Sequence, residues 1–103
     1  MIAPLAPRLT LRPVLVETGS ADEDGRLVFV RDRLVAVLIR LSAEAHPDSG
    51  LGGKWFMEAG FGPCAAQTPD VFPALADAEA WIRRALAQGA RSPDAGADPA
   101  AEA

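Results

Sequence analysis

Hydrophobic residues recur with a period of two through the first half of the chain and with a helical period near its end. The densest stretch is Arg26 to Ser42, RLVFVRDRLVAVLIRLS. Side chains of an extended strand point alternately to its two sides. Alternation therefore places Val28, Val30, Val35, Val37 and Ile39 on one face, and Leu27, Phe29, Leu34, Ala36 and Leu38 on the other. Dense Val and Ile with this alternation read as strand rather than helix. Polar residues divide the run into a hairpin, Arg26 to Arg31 and Leu34 to Ser42, with Asp32-Arg33 as the turn. Two-residue hairpin turns favour Asn-Gly or Asp-Gly because φ is positive at the central positions, and Arg33 departs from that.

Leu9 to Glu17 (LTLRPVLVE) reads as a first strand, and Pro13 places it at a sheet edge because proline gives no donor to a ladder. Thr18 to Gly25 (TGSADEDG) is an acidic, solvated loop. Lys54 to Phe61 (KWFMEAGF) is the last strand. Trp55, Met57, Ala59 and Phe61 share one side of it, and Lys54, Phe56, Glu58 and Gly60 the other. From about Ala74 to Gln88 the period changes. Leu75, Ala78, Ile82, Ala85 and Leu86 line one side of a helix, with Trp81 beside them, Phe72 under its first turn and Gly89 as its stop. The predicted fold is α+β: an antiparallel meander sheet of three to four strands with one C-terminal helix packed on one face. Residues 1–8 read as an extended arm, 9–89 as the single domain, and 90–103, which lack any large apolar side chain, as a disordered tail.

This pattern leaves a surplus. Four strands at ~4.8 Å spacing are wider than a helix of ~10 Å diameter can shield. Leu27, Phe29, Leu34, Leu38 and Phe56 are the candidate interface residues on the uncovered side. Contiguous apolar surface of this kind marks contact sites. The preferred cover is a second copy in a homodimer, the commonest closed assembly. The alternatives are the N-terminal arm, through Ile2, Leu5 and Leu9, or a different protein.

Charge narrows the function classes. The net charge is −4 and the pI about 4.8, a poor match to the phosphate neutralisation that drives nucleic-acid affinity. The charge is uneven, however. Residues 1–41 hold six arginines against five acids, whereas residues 42–103 hold four basic groups against nine acids. The alternative function is therefore a nucleic-acid module. Arg26, Arg31, Arg33, Arg40 and Lys54 would line a sheet rim, and Phe29 and Phe56 would stack bases. One cysteine rules out an internal disulfide and fits a reducing compartment, the cytoplasm. No apolar run approaches the ~18 residues of a membrane span. The Pro-punctuated start MIAPLAPRLTLRP does not read as a secretory signal.

Candidate chemistry is sparse. Cys64 in GFGPCAA would need a base nearby to act as a nucleophile. His46 is the single histidine, in the loop at the far end of the last strand, so the two should not meet. DSGLGGK differs from a phosphate loop: Asp48 stands at the first glycine position, Trp55 follows Lys54, and a strand follows instead of a helix. Asp22, Glu23 and Asp24 before Gly25 lack calcium-loop spacing. One Cys and one His give no zinc set. No catalytic residue, cofactor or metal is predicted, and the chain reads as a non-catalytic binding domain.

The segment GKWFMEAGFG followed by VFPALADAEAWIRRAL resembles small uncharacterised bacterial domains, chiefly of alphaproteobacteria and their phages. In these a Trp-containing strand leads to a phenylalanine and then to an Ala-Glu-Ala-Trp-Ile helix. The resemblance covers about 40 residues and implies a sheet-plus-helix fold with no known activity. The order of elements is also similar to the three-stranded-sheet-plus-helix modules that bind DNA in recombinases and plant regulators. Their sheet face is basic, which this sequence does not reproduce.

Overall fold

The computed structural model describes residues 8–65, 69 and 71–91. The arm and tail expected at 1–8 and 90–103 thus fall almost entirely outside the described residues, as do Ile2 and Leu5. Four strands form one antiparallel sheet in chain order: β1 (Leu9–Leu15), β2 (Asp24–Val30), β3 (Arg33–Arg40) and β4 (Trp55–Gly60). A short 3-10 helix, Gly62–Ala65, follows, and then helix α1, Leu75–Arg91. The α+β meander with one helix read from the sequence is the fold observed.

Cross-strand partners share a face, so the register sorts every side chain. Leu11 faces Val28, and Val28 faces Ala36. Leu38 faces Met57, and Arg40 faces Trp55. These residues point toward α1. Arg12 faces Leu27, Leu27 faces Val37, and Phe29 faces Leu34 on the opposite side. Two irregularities separate this from simple alternation. Phe29 pairs with Leu34 but Val28 with Ala36, so Val35 is an extra residue in β3. Val37 pairs with Ala59 but Leu38 with Met57, so Glu58 is an extra residue in β4. Each bulge shifts the phase of the residues beyond it.

The consequence is a correction to the expected faces. Val35 and Ala36 both join the helix-side core, and Leu38, expected on the far face, is 0% exposed within that core. Val37 and Ile39, expected with Val28, lie on the far face beside Leu27 and Gly25. Beyond Glu58, Ala59 also moves to the far face, and Gly60 to the helix side opposite Ala36. A Cβ on Gly60 would collide with the Cys64 carbonyl, so glycine lets the 3-10 helix fold back onto the sheet.

The hairpin turn is also one residue earlier than expected. Val30 pairs with Arg33, leaving Arg31-Asp32 as the turn, with Arg31 at φ 58°. A left-handed conformation costs a non-glycine residue roughly 1–2 kcal/mol. Pairing on both sides of the turn holds it there.

α1 closes the helix side. Ala78 and Ile82 are completely buried against Val28, Val35, Leu38, Trp55 and Met57. Leu75, Trp81, Ala85 and Leu86 flank them, as the sequence period indicates. Phe72 returns the chain to the free edge of β4 through two backbone hydrogen bonds with Trp55, at 2.9 and 2.7 Å, and its ring tilts against Trp81. Gly89 does not stop the helix, which continues to Arg91. A Cβ at Gly89 would strike the Pro63 ring, so this glycine serves a close approach between α1 and the 3-10 helix. Leu9, assigned in the sequence to a possible cover of the far face, instead packs against the helix-side core.

Candidate interaction surface and its adjoining cleft

Four of the five candidate interface residues, Leu27, Phe29, Leu34 and Phe56, lie on the sheet face away from α1. Leu38 does not belong there. The β3 bulge that moves it also brings in Val37. Leu27, Phe29, Leu34 and Val37 remain partly exposed, and Phe56 is 38% exposed. Arg12 comes from β1 onto the same face, its guanidinium 6.0 Å from the centre of the Phe29 ring. Sequence reading missed Arg12, because only the β1–β2 register shows where it projects.

One end of this face is closed. Ile39 and Leu41 are buried, and the loops 16–23 and 41–54 meet beside them. Asp22 ties the loops together. Its Oδ1 accepts the Ser42 N–H at 2.7 Å, and its Oδ2 lies 2.7 Å from His46 Nε2. Its backbone is also held, the N–H donating to Ser20 Oγ and the carbonyl accepting from Thr18 Oγ1. Ser42 Oγ accepts the Ala45 N–H and fixes the turn that carries His46. Partial burial acts to raise the Asp22 carboxyl. The hydrogen bonds from Ser42 and His46, with the His46 charge, outweigh it and hold the carboxyl below its usual 3.8. The expectation of a wholly solvated acidic loop is thus corrected at Asp22, whose side chain is only 14% exposed.

The tied loops leave a cleft of about 360 Å³, floored by Ile39, Leu41, Leu51 and Val71 and edged by Phe56 and Glu58. Its volume is in the range of small-ligand sites. The polar side chains of its loop wall, however, already bond within the protein: both Asp22 oxygens, Thr18 Oγ1 and Ser20 Oγ all have partners. The arrangement is that of a clasp between two loops. Among the described residues His46 makes no side-chain hydrogen bond to a serine or a thiol.

Cys64 lies on the opposite side of the sheet, 1% exposed in the helix-side core. Burial pushes its thiol up to about 11, so at neutral pH it is a packing group and not a thiolate. The arginines expected to form one rim are dispersed. Arg31 and Arg33 sit at the β2–β3 turn, and Arg40 at the other end of β3. Arg26 stacks over Trp55 at 5.3 Å on the helix side and pairs with Asp24 at 2.8 Å. Phe29 and Phe56, the expected stacking partners, face away from Arg26. Among the described residues no three of His, Cys, Asp and Glu gather as a metal site, and no helix is long and apolar enough to cross a membrane. No family model, curated protein or solved structure matches the chain.

Proposed function

We propose that this chain is a small binding domain without catalytic machinery of its own, and that it pairs with a second copy through the sheet face opposite α1. The observation that carries this reading is the difference in cover between the two faces. Among the described residues α1 and the 3-10 helix both pack on one side, and no helix or strand lies over Leu27, Phe29, Leu34 and Val37. An apolar side chain gains about 1.5–3 kcal/mol when fully removed from water, and these residues retain part of that gain. The sheet edges are poorer docking sites. Pro13 interrupts the donors of β1, and Phe72 occupies part of the outer edge of β4.

Sedimentation equilibrium over a range of protein concentrations tests the reading. A reversible monomer–dimer equilibrium is expected, with Phe29→Asp shifting it to monomer while circular dichroism keeps the native spectrum. A wild-type chain that stays monomeric at every concentration overturns it.

A further inference from the structure

We infer that the two copies stack sheet on sheet about a two-fold axis running along the strands, so that Arg12 of each copy meets Glu58 of the other. This rests on the self-association proposed above and adds its register. Arg12, Leu27, Val37 and Ala59 are successive cross-strand partners and so form one row across the whole sheet. Glu58, the extra residue of β4, sits beside the last member of that row. Both charges are on the face in question. Arg12 lies over the Phe29 ring, and Glu58 lines the cleft with Ile39 and Phe56. Both are exposed, and neither joins an ion pair among the described residues.

Within one chain the two are too far apart to pair. They occupy opposite edges of the sheet, three strand spacings or ~14 Å apart. A second copy changes this. Rotation about an axis along the strands lays β1 of one copy over β4 of the other, and β2 over β3. Arg12 then lies against Glu58 at both edges, Leu27 against Val37, and Phe29 against Leu34. Rotation about an axis across the strands lays each strand on its own counterpart. With that axis on this row, Arg12 would oppose Arg12 and Glu58 would oppose Glu58, and like charges so placed are repelled. Packed sheets lie ~10 Å apart with strands aligned to within ~30°. Because this rotation also sets the two clasped ends side by side, the close approach that Arg12 and Glu58 bridge is confined to the open part of the face, from the Arg12–Ala59 row to Phe29 and Leu34. Asp22 and His46, at the closed end of this face, are already joined to each other.

The experiment is a charge exchange read by sedimentation at low salt, with circular dichroism to verify folding. Arg12→Glu and Glu58→Arg, each alone, should weaken the dimer about tenfold or more, and the double variant should restore most of the loss. Single variants without effect, or a double variant no tighter than either single, overturn this register. If the wild type still dimerises and Phe29→Asp still dissociates it, the self-association reading stands without it. A monomeric wild type overturns both.

Discussion

The two faces of this sheet are built from alternate residues of the same strands, yet they are closed by different means. On the helix side Val28, Ala36, Leu38, Ala78 and Ile82 are 0% exposed, sealed by interlocking side chains from the sheet, the 3-10 helix and α1. On the far side burial is complete only around Ile39 and Leu41, where two loops are held together through the Asp22 carboxylate. The middle, at Leu27, Phe29, Leu34 and Val37, retains partial exposure. One face is stabilised by apolar packing. The other depends at one end on a charged clasp and, in the reading proposed above, at its centre on a partner.

The largest effects should fall on the helix side. Ile82→Asp places a lone carboxylate in a fully buried site without a hydrogen-bond partner, and the chain should show no cooperative thermal melt. Leu38→Ala leaves a cavity beneath α1 and should cost about 2–5 kcal/mol in urea unfolding. Phe29→Asp sits on the other face of the same sheet and should melt cooperatively as a monomer. If Phe29→Asp unfolds the chain as thoroughly as Ile82→Asp, the distinction between a closed face and a docking face fails.

The division into faces was only half legible in the sequence. Chain order and strict alternation indicate a meander, and the 3.6 period indicates a helix with the correct buried residues. The two bulges were not legible. Nothing in LVAVL marks Val35 as the extra residue, and nothing in FMEAG marks Glu58, since each segment alternates acceptably in either phase. Their effect is large because a slip of one residue moves every later side chain to the other face. Leu38 was misplaced for this reason alone. Gly60 and Gly89 could be seen as glycines, but a close approach to Cys64 or Pro63 is a tertiary fact, and at Gly89 the chain-end habit of glycine pointed to a stop. The clasp was hidden by distance, His46 lying 24 residues from Asp22. One signal was available. Three successive acids faced a Ser-led turn carrying the single histidine, which narrows the partner to Asp22, Glu23 or Asp24.

The clasp gives the comparison a pH axis. The Asp22 carboxyl is held below 3.8 in the folded chain, so its contribution is fully present above 3.8 and is lost as pH falls through the lowered native value. Acid should therefore loosen the loops over Ile39 and Leu41 before it affects the helix side. Asp22→Asn should cost about 1–2 kcal/mol at neutral pH by weakening its charged hydrogen bonds, and should flatten the dependence of stability on pH in that acid range. Amide exchange at Ser42 should quicken in the variant, while amides of Leu38 and Met57 stay protected. Equal loss of protection on both faces would show that the clasp and the packed core are one cooperative unit.

The smallest change tests whether the faces are energetically separate. α1 begins without a capping side chain at Ala74, although Asp77 already reaches back to accept the Ala74 N–H at 3.0 Å. That is one half of a capping box. Ala74→Ser supplies the other half, a hydroxyl that accepts an N–H of the first turn. Position 74 is exposed, so the substitution displaces no core packing. The expected gain is about 0.5–1 kcal/mol, seen as a rise of a few degrees in Tm. The gain belongs to the helix side alone. The dimer dissociation constant should therefore be unchanged, and the fall in stability with acid should keep its midpoint, because neither Phe29 nor Asp22 lies in contact with the first turn of α1. A shift in either quantity would mean that tightening α1 is transmitted through β2 and β3 to the far face, and the sheet would then act as a coupled plate rather than as a partition between two independent surfaces.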